Sequence, residues 1–316
     1  MKLLLFIILI SSFNLIAEDN LLDSYKLQFK PLKTFVPPTD EVSKKKIELG
    51  RKLYLETKLS KAGDISCNSC HQLDNYGVDG KQFSEGHNKQ LGGRNSPTVY
   101  NAALHLAQFW DGRAKDLQEQ ALGPIMNPVE MAMGSEEEVL DQIKDDKNYQ
   151  DLFKIAFPKE ENPITFNNIG HAIAAFENTL LTPSRFDEFL EGNEKALNDS
   201  EKEGFKKFVE TGCTACHSGI GLGGHMYQKL GLIKPYPTKD LGRFDATKND
   251  SDKFFFKVPS LRNIEKTGPY FHDGSIKTLE EAITLMGEYQ LGRELKEDEV
   301  NSIITFLKSL TAKIKN

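Results

Sequence analysis

The chain has 316 residues, 39% of them hydrophobic, and a formal charge of -6. That length suits two domains of ordinary size, each with a core of its own. The acidic balance argues against nucleic acid as a partner and mildly favours a cationic or dipolar protein surface.

The chain opens on Met1-Lys2 and an apolar run through Ile10, followed by small residues and Ala17 before Glu18-Asp19. This reads as a signal peptide over residues 1–17, whose loss removes Lys2 and takes the charge from -6 to -7. The run to Ile16 is broken by Ser11, Ser12 and Asn14 and is short for a membrane anchor. The mature chain is therefore expected to be exported, to the periplasm or its equivalent.

A helix carrying Gly50 and, four residues on, Tyr54 precedes Cys67-Asn68-Ser69-Cys70-His71. A second, with Gly204 and Phe208, precedes Cys213-Thr214-Ala215-Cys216-His217. Residues four apart share a helix face, so each glycine marks a place where another helix can cross closely. Between these motifs, Ile169, Ala172, Ile173, Phe176 and Leu180 recur at helical spacing, as do Val300, Ile303, Ile304, Leu307 and Leu310 near the end. Helix starts of the Ser/Thr-x-x-Glu kind occur at Ser135, Ser200 and Thr278, and no convincing run of alternating strands is present.

A longer repeat underlies this pattern. Pro97-Thr98-Val99-Tyr100-Asn101 matches Pro259-Ser260-Leu261-Arg262-Asn263 at an offset of 162 (259 minus 97), and Phe109, Asp111, Gly112, Lys115, Leu117 and Glu119 meet Phe271, Asp273, Gly274, Lys277, Leu279 and Glu281 at the same offset. Two related domains follow, residues 18–181 and 182–316, joined at Thr182-Pro183-Ser184-Arg185, with the start of the mature chain expected on the other domain. The cysteine motifs are offset by only 146 (213 minus 67), so the second copy is longer, and its extra length includes the glycine-rich loop from Gly219 to Gly224.

Cys-x-x-Cys-His supplies two thiols for thioether bonds to a haem's vinyl groups and an imidazole for the iron, and all four cysteines of the chain are used in this way. A zinc site, a redox dithiol and a disulfide are the alternatives, and none of them needs a histidine after each pair. The expected fold class is mainly α: two cytochrome c-like domains, each with one covalently bound haem c. A sulfur ligand raises a haem's potential, whereas a displaceable one opens the iron to a small molecule. In the second half Met286 is the favoured sixth ligand, with Met226 and His225 as alternatives. The same offset carried back from Met286 lands on Pro124, and Met126, Met131 and Met133 nearby can be packing residues. The two halves are thus expected to differ, one transferring electrons and one reactive.

SCNSCH, GHN, RNSPTVYNA, QFWDGRA, LQEQALGP, NPVEM, GCTACHSG, KVPSLRN and PYFHDGS together resemble the di-haem bacterial cytochrome c peroxidases over essentially the whole mature chain. The resemblance implies a peroxidatic haem at Cys67, Cys70 and His71 with His87 as its removable sixth ligand, and an electron-transfer haem at Cys213, Cys216, His217 and Met286. It further implies Glu130 as the acid-base residue, Gln120 as an amide orienting peroxide, Trp110 between the haems as an aid to electron passage, and His272 as structural. A calcium ion is implied at Asn95, Thr267 and Pro269, an oxygen donor set that suits a hard cation. His105 and His171 are expected to be core histidines. The implied partners are hydrogen peroxide and a small c-type cytochrome or cupredoxin donor, with a homodimer as the expected assembly. The rivals are a di-haem electron carrier without peroxide chemistry and the related enzyme that matures a tryptophan-derived quinone, which uses a tyrosine ligand where Met286 stands here.

Overall fold

The computed structural model describes residues 22–314, so the expected signal peptide lies outside the described residues. The larger helices are α1 (Glu41–Tyr54), α2 (Leu117–Met126), α3 (Lys147–Ala156), α4 (Phe166–Glu177), α5 (Arg185–Leu190), α6 (Asp199–Thr211), α7 (Leu279–Met286) and α8 (Glu297–Lys308). Two three-residue strands, β1 (Tyr227–Lys229) and β2 (Phe255–Lys257), pair antiparallel with Tyr227 opposite Lys257. Strands this short give no alternating run for a sequence to display.

Burial divides into two cores. Leu49, Leu53, Tyr54, Phe153, Ile169 and Ile173 anchor the first; Phe186, Phe189, Phe205, Phe306 and Leu310 anchor the second, which also takes in Phe29. In each, the helix before the cysteine motif crosses a later one at glycine. A Cβ on Gly50 would collide with the Ala172 carbonyl of α4, and one on Gly204 with the Ser302 carbonyl of α8. One turn on, Tyr54 meets Phe176 and Phe208 meets Phe306, with ring centroids 5.3 and 5.2 Å apart. The backbones touch because no side chain separates them, and the aromatic pairs fix the crossing.

Capping follows the expected chemistry at two of three sites: Ser135 accepts from the Glu138 N–H, and Thr278 from the Glu281 N–H. The third start is corrected. The cap of α6 is Asn198, reciprocated by Glu201, so Ser200 lies within the first turn. His171 is also corrected, being exposed on α4. It sits two positions from buried Ile169, about 200° around the helix.

The 162-residue repeat is visible in the backbone. Asn101 and Asn263 are both left-handed, with φ 62° and 60°, as are Phe109 and Phe271, with φ 65° and 69°. Asn101 N–H donates to the Leu180 carbonyl at 2.8 Å, and Asn263 N–H to that of Leu310 at 3.1 Å. Each asparagine Oδ1 then accepts from the amide two residues further on, Thr182 at 2.9 Å and Ala312 at 3.0 Å. Both asparagine side chains also donate to one atom, the Thr182 Oγ1, at 2.7 and 2.9 Å.

Candidate functional site

The first cavity, of about 780 Å³, is lined by Cys67, Cys70, His71, Gln120, Glu130 and Arg113, among others. A single helical turn, Cys67–Cys70, holds the cysteines, with Ser66 and Ser69 closing its start. His71 Nδ1 lies 2.9 Å from the Pro97 carbonyl, which places the proton on Nδ1 and leaves Nε2 free to bind iron. The second cavity, of about 240 Å³, is lined by Cys213, Cys216, His217 and Met286, and there His217 Nδ1 faces the Leu222 carbonyl at 3.2 Å. Neither Met226 nor His225 lines it.

These residues fit two covalently attached haems. Burial pushes the Cys67 and Cys213 thiols up and holds the His71 and His217 imidazoles below the usual histidine value. Among the described residues no cluster of His, Cys, Asp and Glu forms a metal site of its own.

Glu130 and Gln120 reach the first cavity from different elements, Gln120 from α2 and Glu130 from the loop after it. Burial pushes the Glu130 carboxyl up, against the pull of Arg113 and of Asn127, whose amide donates to Oε1 at 2.9 Å. Asn127 escaped the sequence reading as a functional residue, although it opens the same NPVEM motif. The loop of His87 is tied to that of Glu130, since His87 N–H donates to the Glu130 carbonyl at 2.7 Å and a Cβ on Gly86 would collide with the Val129 carbonyl. Gly86 lines the cavity; the His87 ring does not, and its Nδ1 is buried without a partner among the described residues.

The two cavities share a wall. Asn95, Pro97, Thr98, Phe109 and Trp110 line both, and Trp110 Nε1 donates to the Asn95 carbonyl at 2.8 Å. Asn95, Thr267 and Pro269 all border the second cavity. The Asn95 amide nitrogen donates to the Lys81 carbonyl at 2.9 Å, turning Oδ1 away from that loop as the acceptor end a hard cation would use. His272 is 2% exposed, lies against Phe256 with ring centroids 4.3 Å apart, and its carbonyl accepts the Asn95 N–H at 2.7 Å. His105 is half-buried, with Nδ1 3.0 Å from the Lys257 ammonium nitrogen.

The family model for di-haem cytochrome c peroxidase matches residues 44–195, and that for cytochrome c matches residues 201–311. The chain is 50% identical to the cytochrome c551 peroxidase of Nitrosomonas europaea, over 89% of this chain and 83% of the relative. The chain belongs to the di-haem cytochrome c peroxidase family. It is also 45% identical to the cytochrome c551 peroxidase of Pseudomonas aeruginosa, over 95% of this chain and 88% of that one. Among solved structures, a MauG-like protein associated with microbial copper homeostasis superposes with a TM-score of 0.76 at 29% identity, covering 90% of this chain and 93% of the other. As a member of the family the chain carries two haem c groups, one for each Cys-x-x-Cys-His motif. Among the described residues no helix is long and apolar enough to cross a membrane.

Proposed function

We propose that this chain reduces hydrogen peroxide to water with electrons from a small c-type cytochrome, one peroxide, two ferrous cytochromes and two protons giving two waters and two ferric cytochromes. The observation that carries this reading is the Glu130 carboxyl in the wall of the cavity that also holds Cys67, Cys70 and His71, oriented by Asn127. Each haem, when bound, supplies an iron that changes oxidation state by single electrons.

Residues 18–181 form the peroxide half and residues 182–316 the electron-entry half. Cys67 and Cys70 would attach the first haem and His71 would ligate it; Cys213 and Cys216 would attach the second, with His217 and Met286 as its ligands. Glu130 takes the proton from the near oxygen of peroxide and delivers it to the departing one, a role that its raised proton affinity suits. Gln120, from the facing helix, orients peroxide and the water formed. His87 would serve the first haem as a removable ligand, and the bond from its backbone N–H to the Glu130 carbonyl would tie movement of its loop to the acid-base loop. Trp110, in the shared wall, eases electron passage. A calcium ion at Asn95, Thr267 and Pro269 holds the two halves in register. The periplasm is the proposed compartment, with a small c-type cytochrome or a cupredoxin as donor and a homodimer as the assembly.

The test is peroxide-dependent oxidation of a reduced small cytochrome c by the two-haem protein, pre-reduced by one electron with calcium present. Turnover at two cytochromes per peroxide supports the reading. A protein with both haems that exchanges electrons with several donors but leaves peroxide untouched would be the electron carrier instead.

A further inference from the structure

Residues 28–32 precede the first core in sequence but lie on the second. Phe29 is buried between Phe186 of α5 and Phe205 of α6, with ring centroids 5.4 and 5.5 Å away. On either side of it the backbone is bonded to the second half: the Gln28 carbonyl accepts the Gly219 N–H at 2.9 Å, and the Leu32 N–H donates to Asp187 Oδ1 at 2.7 Å. Asp187 in turn holds the Arg262 guanidinium, whose Nε donates to the Ile220 carbonyl at 2.7 Å. Two adjacent residues are thus gripped, Gly219 by this strap and Ile220 by Arg262.

The loop they hold follows His217 and returns to it. Leu222 N–H donates to the Gly219 carbonyl at 3.4 Å and Gly223 N–H to that of Ser218 at 3.2 Å, closing the turn. The Leu222 carbonyl at its end lies 3.2 Å from His217 Nδ1 and also accepts the Leu261 N–H at 3.2 Å. Gln28, Phe29, Asp187, Gly219, Ile220 and Leu222 line neither cavity, so a haem filling the second cavity displaces none of these contacts. They run behind the imidazole, on the side of Nδ1, and leave Nε2 for the iron.

We propose that Phe29 is a positioning residue for His217: by seating residues 28–32 on the second half it holds the Leu222 carbonyl against Nδ1, and so sets how strongly the imidazole donates to the second haem's iron. The inference rests on the reading of His217 as that iron's axial ligand. A carbonyl that accepts from one ring nitrogen raises the basicity of the other. A more basic ligand favours the ferric state and lowers the potential. The Pro259 carbonyl acts on the same imidazole, so release of the loop weakens this donation without ending it. The electron affinity of the entry haem is thereby set in part by a segment that belongs to the peroxide half.

The midpoint potential of the second haem, measured in the two-haem protein by optical redox titration, tests this. Phe29→Ala should raise it, by up to about tenfold in the one-electron equilibrium constant or about 59 mV. The first haem's potential should stay at the native value, because His71 takes its acceptor from Pro97 in its own half. Phe29→Leu, which refills the seat, should restore the native potential of the second haem. A loosened fold that merely admits water would lower the potential by favouring the more highly charged ferric state, so a fall or no change in Phe29→Ala overturns the inference. Hydrogen exchange of the native protein gives a second reading that needs no variant. The Gly219 and Leu222 amides should open together with those of Phe29 and Leu32, at one free energy, and either segment opening without the other overturns the inference. A native second haem without the spectrum of histidine–methionine ligation would overturn the ligand reading and the inference with it, whereas that spectrum with an unmoved potential overturns the inference alone.

Discussion

Replacing Arg262 by methionine keeps much of the side chain's length and removes its guanidinium from a site with 1% exposure. Arg262 donates to Asp187 from Nη1 at 2.8 Å and from Nη2 at 2.7 Å, and to the Ile220 carbonyl from Nε at 2.7 Å. The same carboxylate accepts the amides of Leu32 and Ser184, each at 2.7 Å. The variant therefore leaves Asp187 buried and charged, with its backbone bonds but no cation. Breaking a buried pair from one side costs about 3–5 kcal/mol, and the two retained amides place the loss near the lower figure. About 3 kcal/mol corresponds to a fall in Tm of roughly 6–12 °C at about 2–4 °C per kcal/mol for a chain of this size. Urea unfolding and calorimetry of the two-haem protein measure it. Adding Asp187→Asn should recover part of the loss, since the stranded charge is gone while the single amide oxygen can still accept from one of the two amides, Leu32 at Oδ1 or Ser184 at Oδ2. A cost below about 1 kcal/mol for Arg262→Met, or a double variant no better than the single one, would refute the reasoning.

Glu130→Gln should lower turnover by about 10²–10⁴ and remove the acid limb of the kcat/KM profile while leaving the spectrum of the second haem unchanged; turnover within tenfold of native would end the acid-base assignment. Glu177 lines the first cavity with Oε2 unpartnered among the described residues, and burial raises its carboxyl to about 8. A raised folded-state value means that the folded protein keeps a proton the unfolded chain has released, so this contribution is present at acid pH and is lost as pH rises toward about 8. Between the ordinary carboxylate value and that point the loss approaches about 1.4 kcal/mol per pH unit, and denaturant titrations should find it absent from Glu177→Gln; equal slopes in the two proteins would refute it. Gly204→Ala drives a Cβ into the Ser302 carbonyl and should cost about 1–3 kcal/mol in unfolding experiments, with Gly50→Ala behaving alike at Ala172.

Features that depend on one short stretch of chain were legible in the sequence. The cysteine motifs, the apolar stripes of α4 and α8 and the two crossing glycines each announce themselves within a few residues. The 162-residue offset was legible because the two copies kept matching side chains. What stayed hidden depends on partners distant in the chain. Lys257 in Phe256-Lys257-Val258-Pro259 reads as an ordinary solvated lysine, and only folding reveals that it is buried against His105, 152 residues away. Glu177 reads as the polar end of an amphipathic helix, although the cavity wall closes over it. The start of α6 was misplaced by two residues because Asn198 caps as well as a serine does. His171 was misjudged because nearness to apolar residues in sequence does not put a side chain on their face.

Thr182 and Ala312 are counterparts in the two copies, Ala312 offering its amide to Asn263 within its own half and Thr182, the first residue of that half, offering its amide to Asn101 of the other. Only one of the pair carries a hydroxyl, and that oxygen receives the amide groups of both Asn101 and Asn263. A dimer of two identical ancestral subunits would necessarily have presented the same residue twice at this meeting point. The joined chain is free of that constraint, so one position could keep a hydrogen-bonding group at the centre while its twin became inert. Cutting the chain there would deprive one half of an acceptor that lies outside its own sequence.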